Sequence, residues 1–309
     1  VTVTSPWASK SITWTSAAGV TIGLTDSAGG YVSTTGRAGF GPVDAQIVSD
    51  QMWDGSTLVR THRVQPRLMS VPLYVMGPDA DTYLARLRAL QATFRHPVDP
   101  STGLPVPGRI TVQLPDGSAR SIGAYYQGGG APTESDVDDV AAGWVPLPNL
   151  QFYAPVPTWE GDTSSRTWQL APSSSGVPPM PPVLLGSGAV IGSTTVTNPG
   201  DTDAYPIWTI TGPGTVTIEN ADSGQSYSFK QAIPAGTTVT VDCRPVELAP
   251  STGLTATDQT GADWWPNLAD YPDFWPLPPG DTNLSITVTG ATAASAVTVE
   301  FAPRYLGAW

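Results

Sequence analysis

The sequence predicts a mainly β protein with a single helix, and three observations predict it. Residues 197–301 are short runs of alternating apolar and polar side chains set between Gly, Pro, Asn and Asp. Strand side chains alternate faces, so such runs are half-buried strands joined by tight turns. Gly and Pro number 32 each in 309 residues, while 13% are charged and 40% hydrophobic; this is a folded, turn-rich chain rather than a disordered one. Only one stretch, residues 81–95, places apolar residues at helical spacing. The length allows two domains.

In the amino-terminal half, Ser11–Thr15 and Val20–Leu24 are short strands, and Asp26–Gly41 is an extended loop rich in Gly, Ser and Thr. Gly36, Gly39 and Gly41 surround Arg37 but lack the Lys-Ser/Thr and the following helix of a phosphate loop. Thr57–Gly77 is a β segment in which Arg60, His62, Arg63 and Arg67 precede Val71, Leu73 and Val75. Any one of these arginines reads as a solvated strand face. Taken as a cluster, Arg60, Arg63 and Arg67 suit acidic neighbours across a subunit interface.

The helix carries Tyr83, Leu87, Leu90 and Phe94 on one stripe. Asp79 or Asp81 caps its start, Arg95 and His96 suit its carboxyl end, and Pro97 stops it. Arg109–Leu114 and Ala119–Tyr126 make a hairpin about Pro115-Asp116-Gly117-Ser118. The acidic loop that follows holds Glu134, Asp136, Asp138 and Asp139 without the spacing of a calcium-binding EF-hand, so a solvated loop is expected. Trp144–Tyr153 returns as a strand. The Pro/Ser segment Ala171–Pro182 is extended and stiff. These features divide the chain into an amino-terminal domain 1–157, a linker 158–182 and a carboxy-terminal domain 183–309.

In the carboxy-terminal domain one face collects Val216 and Ile218, then Val239, Val241 and Cys243, then Leu284, Ile286 and Val288, then Val297, Val299 and Phe301. Several strands with one apolar face each must pair those faces, which makes a two-sheet sandwich. Asn198-Pro199-Gly200-Asp201 and Pro278-Pro279-Gly280-Asp281 suit type II turns, and Ala221-Asp222-Ser223-Gly224 is a third turn. Cys243 is the only cysteine, so no intrachain disulfide forms; its phase with Val239 and Val241 makes it a small core residue.

Charge and chemistry exclude several functions. The net charge of −12 is uneven: residues 1–127 hold ten Lys/Arg and eight Asp/Glu, residues 128–309 four and eighteen. A half this acidic repels phosphate, so sequence-specific nucleic-acid binding is not expected. No apolar run is long enough for membrane insertion, and the amino terminus lacks the apolar core of a signal segment. His62 and His96 have no carboxylate or Cys at metal spacing, and neither a G-x-S-x-G elbow nor a Walker sequence occurs. Asp201 and Asp203 sit in a turn motif, where capping is their expected work. No catalytic, metal or cofactor residue is therefore predicted. The stretch Asp263–Leu277 concentrates Trp264, Trp265, Tyr271, Phe274 and Trp275 among prolines and acids. Trp264, Trp265 and Tyr271 are candidate glycan or partner contacts, since ring faces stack on sugars. In the other reading the rings fold back over an open end of the sandwich.

Four segments carry a family resemblance by their order. They are N-P-G-D-x-x-A-x-P-x-W-x-I-x-G from Asn198, E-N-x-x-x-G from Glu219, P-A-G-x-x-V-x-V-D from Pro234 and F-W-x-L-x-P-G-D-x-N from Phe274. Together they resemble the carboxy-terminal half of siphovirus distal tail proteins, the tail-tip hub subunits known in actinobacteriophages as minor tail proteins. Ala154-Pro155-Val156-Pro157-Thr158-Trp159 is similar to the passage that closes the family's first domain. The resemblance implies a galectin-like sandwich at the carboxy terminus, with Trp275 packed inside. It implies an amino-terminal β domain with one helix, in which the region of Thr57–Gly77 is a core strand pair. It further implies a homo-hexamer closed through the amino-terminal domains, a non-enzymatic ring in the baseplate region of the virion tail tip, assembled in the host cytoplasm. The tail tube protein and the tail-tip hub protein flank that ring, the tape measure protein is a further neighbour, and DNA passes through its channel. The alternative is a host-surface carbohydrate-binding module working through the aromatic stretch.

Overall fold

The structure is a computed structural model and describes residues 10–131, 144–169, 188–246, 248–249 and 253–309. The acidic residues 134–139 and the Pro/Ser segment 171–182 lie outside the described residues. Contacts divide the chain into two units, Val1–Asp162 with Tyr305–Trp309, and Thr163–Arg304. The second unit is thus inserted before the last five residues of the first.

The first unit contains β1 (Ser11–Thr15), β2 (Thr21–Gly23), β3 (Tyr31–Ser33), β4 (Ala45–Gln51), β5 (Thr57–Val64), β6 (Arg67–Met76), α1 (Ala80–Ala92), β7 (Gly108–Gln113), β8 (Ala119–Gly128), β9 (Trp144–Ala154) and β10 (Trp159–Glu160). Its main sheet is antiparallel and curled, in the order β2-β1-β7-β8-β9-β6-β3. Alternation sends Trp14, Met69, Val71, Leu73, Ile110, Ile122 and Phe152 to one buried face. Leu87 and Leu90 of α1 close over that core.

The Asp79 carboxylate caps α1 by accepting the Thr82 N–H at 2.7 Å. The helix ends earlier than residue 95 because Thr93 takes the cap position: its hydroxyl donates to the Leu90 carbonyl (2.6 Å) and accepts the Trp14 indole N–H (3.0 Å). Beyond it Phe94 stacks on Tyr126, ring centres 4.0 Å apart. His96 leaves the helix end altogether. Its Nε2 accepts the Tyr126 N–H (2.9 Å), which places the ring proton on Nδ1 facing the Val106 carbonyl (3.1 Å). The carboxy-terminal residues also dock here: Ala308 is fully buried, the Trp309 ring stacks on Phe40, and Arg120 donates to the Gly307 carbonyl at 2.8 Å.

The second unit contains β11 (Ser164–Gln169), β12 (Gly188–Asn198), β13 (Ile207–Thr211), β14 (Thr215–Asn220), β15 (Ser226–Ser228), β16 (Thr238–Asp242), β17 (Thr255–Asp258), β18 (Gly280–Thr289) and β19 (Ala296–Phe301). A five-stranded sheet, β11-β19-β13-β16-β17, faces a four-stranded one, β12-β18-β14-β15. Trp208, Ile210, Val239, Val241, Val297 and Val299 from the first meet Val216, Ile218, Leu284, Ile286 and Val288 from the second in one core. That is the antiparallel sandwich the alternation predicts. Cys243 is buried in this core, and desolvation, with Asp242 adding to it, pushes its thiol pKa well up.

Two differences from expectation are local. Part of the stretch read as a linker forms strands, β10 in the first unit and β11 in the second, because Trp159 is wholly buried and β11 pairs along its length with β19. Gly280 takes the positive φ (92°) that a type II turn asks of it, whereas Gly200 does not. Gly200 is needed for space instead, since a Cβ there would lie 2.5 Å from the Arg304 carbonyl oxygen.

Candidate functional site

The geometry of interest lies on surfaces. Among the described residues no group of three or more His, Cys, Asp or Glu could hold a metal ion, and no helix is long and apolar enough to cross a membrane.

The first surface is the hairpin of β4 and β5, which forms a two-stranded sheet of its own. Its register pairs Ala45 with Val64, Ile47 with His62 and, past a bulge, Ser49 with Val59. Directly opposed residues share a face, so Ala45, Ile47, Val59, His62 and Val64 line one side. The other side carries Gln46, Arg63, Val48, Thr61, Asp50 and Leu58. Nearly every residue of both strands is exposed. At the tip the Met52 N–H bonds the Ser56 carbonyl (2.8 Å), and Gly55 has φ 83°. Asp54 accepts both the N–H (2.9 Å) and the hydroxyl (2.6 Å) of Ser56, which holds its carboxyl below the usual carboxylate range. Trp53, on the same tip, is 95% exposed.

The three arginines predicted at an interface separate. Arg60 and Arg63 lie on the exposed hairpin, and Arg60 pairs with Asp50 at 2.6 Å. Arg67 is a correction: it is 4% exposed, at the start of β6. Its guanidinium donates to the carbonyls of Gly39 (2.6 Å), Gly41 (2.7 Å), Pro157 (3.0 and 2.9 Å) and Leu306 (2.8 Å). Desolvation lowers its pKa and nearby Asp44 opposes that. Arg67 therefore clamps three segments of the first unit from inside. The stretch Thr57–Gly77 likewise divides: β6 is the core strand expected, and β5 is not in the core.

The second surface is the aromatic stretch. Residues 264–273 run beside β15, with the Ala269 N–H on the Ser228 carbonyl (2.8 Å) and the Asp273 N–H on the Ser226 carbonyl (3.1 Å). Trp264 is turned inward, edge-on to Phe229, with its indole N–H on Asp258 at 3.3 Å. Trp275 is buried against Tyr227. Trp265 remains 41% exposed and touches Phe274, while Tyr271 is 94% exposed with φ 60°. A positive φ on a tyrosine is uncommon and costs of order 1–3 kcal/mol. Beside it Lys230 pairs with Asp270 at 2.7 Å. Of the three candidate contacts, the structure leaves Trp265 and Tyr271 facing outward and uses Trp264 for packing.

The sequence reading missed Trp53 and the strand before it. The signal was present: Asp54-Gly55 between two β-prone runs is a hairpin dipeptide.

No protein-family model matches the sequence, and no curated protein does. The fold, however, is similar to that of solved phage proteins. Over 96% of this chain and 98% of the other, it is similar to the Dit (gp 19.1) protein of SPP1, whose structure is described as a paradigm of the hub adsorption apparatus in phages infecting Gram-positive bacteria; the TM-score is 0.64 and the identity 14%. A second solved structure, the phage P2 baseplate in its activated conformation with Ca, is similar at TM-score 0.48 and 8% identity, over 94% of this chain and 97% of that one. The resemblance read from the four motifs is met in fold.

Proposed function

We propose that this chain is a structural subunit of a phage tail tip and closes into a homo-hexameric ring through its first unit. In this reading the ring joins the tail tube protein to the tail-tip hub protein, leaves a channel for DNA, and has the tape measure protein as a neighbour. One observation carries it: the β4–β5 hairpin exposes apolar residues on a two-stranded sheet that buries neither face. Such a hairpin is at best marginally stable in water alone, and an uncovered apolar arm on a soluble chain marks an interaction site. A second copy supplies the cover, and a head-to-tail contact of this kind closes into a ring when its rotation allows. The work of such a protein is adhesion and geometry rather than bond-making. Native mass spectrometry and negative-stain imaging of the purified protein test the reading. Six-fold rings are expected; a monomer across the whole concentration range overturns it.

A second reading is favoured by its own observation. The outward, strained Tyr271 with Trp265 and the Lys230–Asp270 pair beside it suits a host-surface glycan, ring faces taking the sugar's apolar side. Titration with cell-wall saccharides tests it: binding abolished by Trp265→Ala and Tyr271→Ala supports the contact, and equal binding by both variants removes it.

A further inference from the structure

The first unit has a cleft of about 120 Å³ lined, among the described residues, by Lys10, Ile12, Arg37, Phe40, Val112 and Trp309. Its floor is apolar and its rim cationic. The Lys10 ammonium lies 4.6 Å from the centre of the Trp309 ring. Desolvation lowers the Lys10 pKa, and Arg120 and Arg37 lower it further, so several positive charges crowd one place. Arg37 is exposed and makes no ion pair among the described residues. An anion with an apolar neighbour is the chemistry that fits there. The hairpin tip offers this pair in adjacent residues: Trp53 is a nearly bare indole, and Asp54 is an exposed carboxylate oriented by Ser56.

We infer that the hairpin tip of one copy seats in this cleft on a second copy, Trp53 against the half-exposed Trp309 ring, and Asp54 against Lys10 and Arg37. The inference rests on the ring reading and names the contact that makes it. Donor and acceptor are different patches of the same unit, so the contact is head-to-tail and self-propagating, as a closed ring requires. Trp is the side chain most often found as an interface anchor, and the cationic rim selects the carboxylate beside it.

Two experiments test it on the full chain. Trp53→Ala, with circular dichroism confirming the fold, is expected to weaken association about 30-fold. Asp54→Lys or Arg37→Asp alone is expected to weaken it about 10-fold, and the two changes in one chain to restore it. In the second experiment Asp54→Cys protein is mixed with Arg37→Cys protein under mild oxidation. A disulfide-linked dimer is expected from the mixture only, Cys243 being buried. A wild type that forms rings while the mixture fails to cross-link, and Trp53→Ala leaves ring affinity unchanged, overturns the inference and leaves the ring standing; the tip then serves another tail protein. A wild type that stays monomeric and a mixture that fails to cross-link overturn both.

Discussion

The hairpin at 45–64 and the aromatic stretch at 263–277 are both rich in large apolar side chains, and they meet opposite fates. The aromatic stretch lies along β15, whose backbone holds it, and turns Trp264, Leu268, Trp275 and Leu277 toward the sandwich core. Among the described residues the hairpin's strands pair only with each other, and Ile47, Trp53, Leu58 and Val59 remain exposed. The difference teaches that apolar content does not decide burial; a neighbouring sheet edge does. A stretch with such an edge beside it completes its own domain. A stretch without one stays bare in the isolated chain.

The sharpest way to break this comparison is to delete the same side chain from each region. Trp275→Ala is expected to cost the second unit about 3–5 kcal/mol in denaturant unfolding, whereas Trp53→Ala should shift the monomer's unfolding by no more than about 0.5 kcal/mol. Equal losses would mean the hairpin is packed in cis. Arginines offer a second contrast of similar kind. Arg67→Met deprives the carbonyls of Gly39, Gly41, Pro157 and Leu306 of their donor and is expected to destabilise the first unit by about 3 kcal/mol. Arg60→Ala breaks only a well-exposed pair with Asp50 and should cost about 0.5 kcal/mol or less.

Smaller effects sharpen the picture. His96→Phe leaves the Tyr126 N–H and the Val106 carbonyl without their ring partner, and about 1–2 kcal/mol of the first unit's stability should go with it. Asp258 fastens Trp264 at the base of the aromatic stretch. Its carboxyl is held below the usual carboxylate range by hydrogen bonds, that of the Thr260 hydroxyl first. A depressed carboxyl contributes stability above its unfolded value and loses it as pH falls through the folded one. Asp258→Ala should therefore be less stable than wild type at neutral pH, and the two acid-unfolding curves should converge as pH falls below the ordinary aspartate range.

What was legible in the chain follows from periodicity. Val239 and Val241, Leu284 to Val288 and Val297 to Phe301 alternate without a break because one side of each strand meets a dry core. The hairpin escaped because it faces water on both sides, and Ile47-Val48 and Leu58-Val59 place apolar residues on opposite faces. A basic run from Arg60 to Arg67 looks uniform in one dimension. Its members differ only through carbonyls supplied by residues 39, 41, 157 and 306, far away along the chain. The motifs from Asn198 and Phe274 were legible for another reason: turn chemistry depends on adjacent residues.

The chain by itself determined its β character, the single helix, the two-sheet sandwich and the buried thiol. Each depends on neighbours within one strand, one turn or one helical stripe. Only the tertiary structure decided that Arg67 is interior, that Trp264 packs while Tyr271 protrudes, and that Trp53 stands bare at the end of an arm. Burial of a polar or aromatic side chain is settled by which distant backbone and side-chain atoms fold against it, and local periodicity carries no record of those partners.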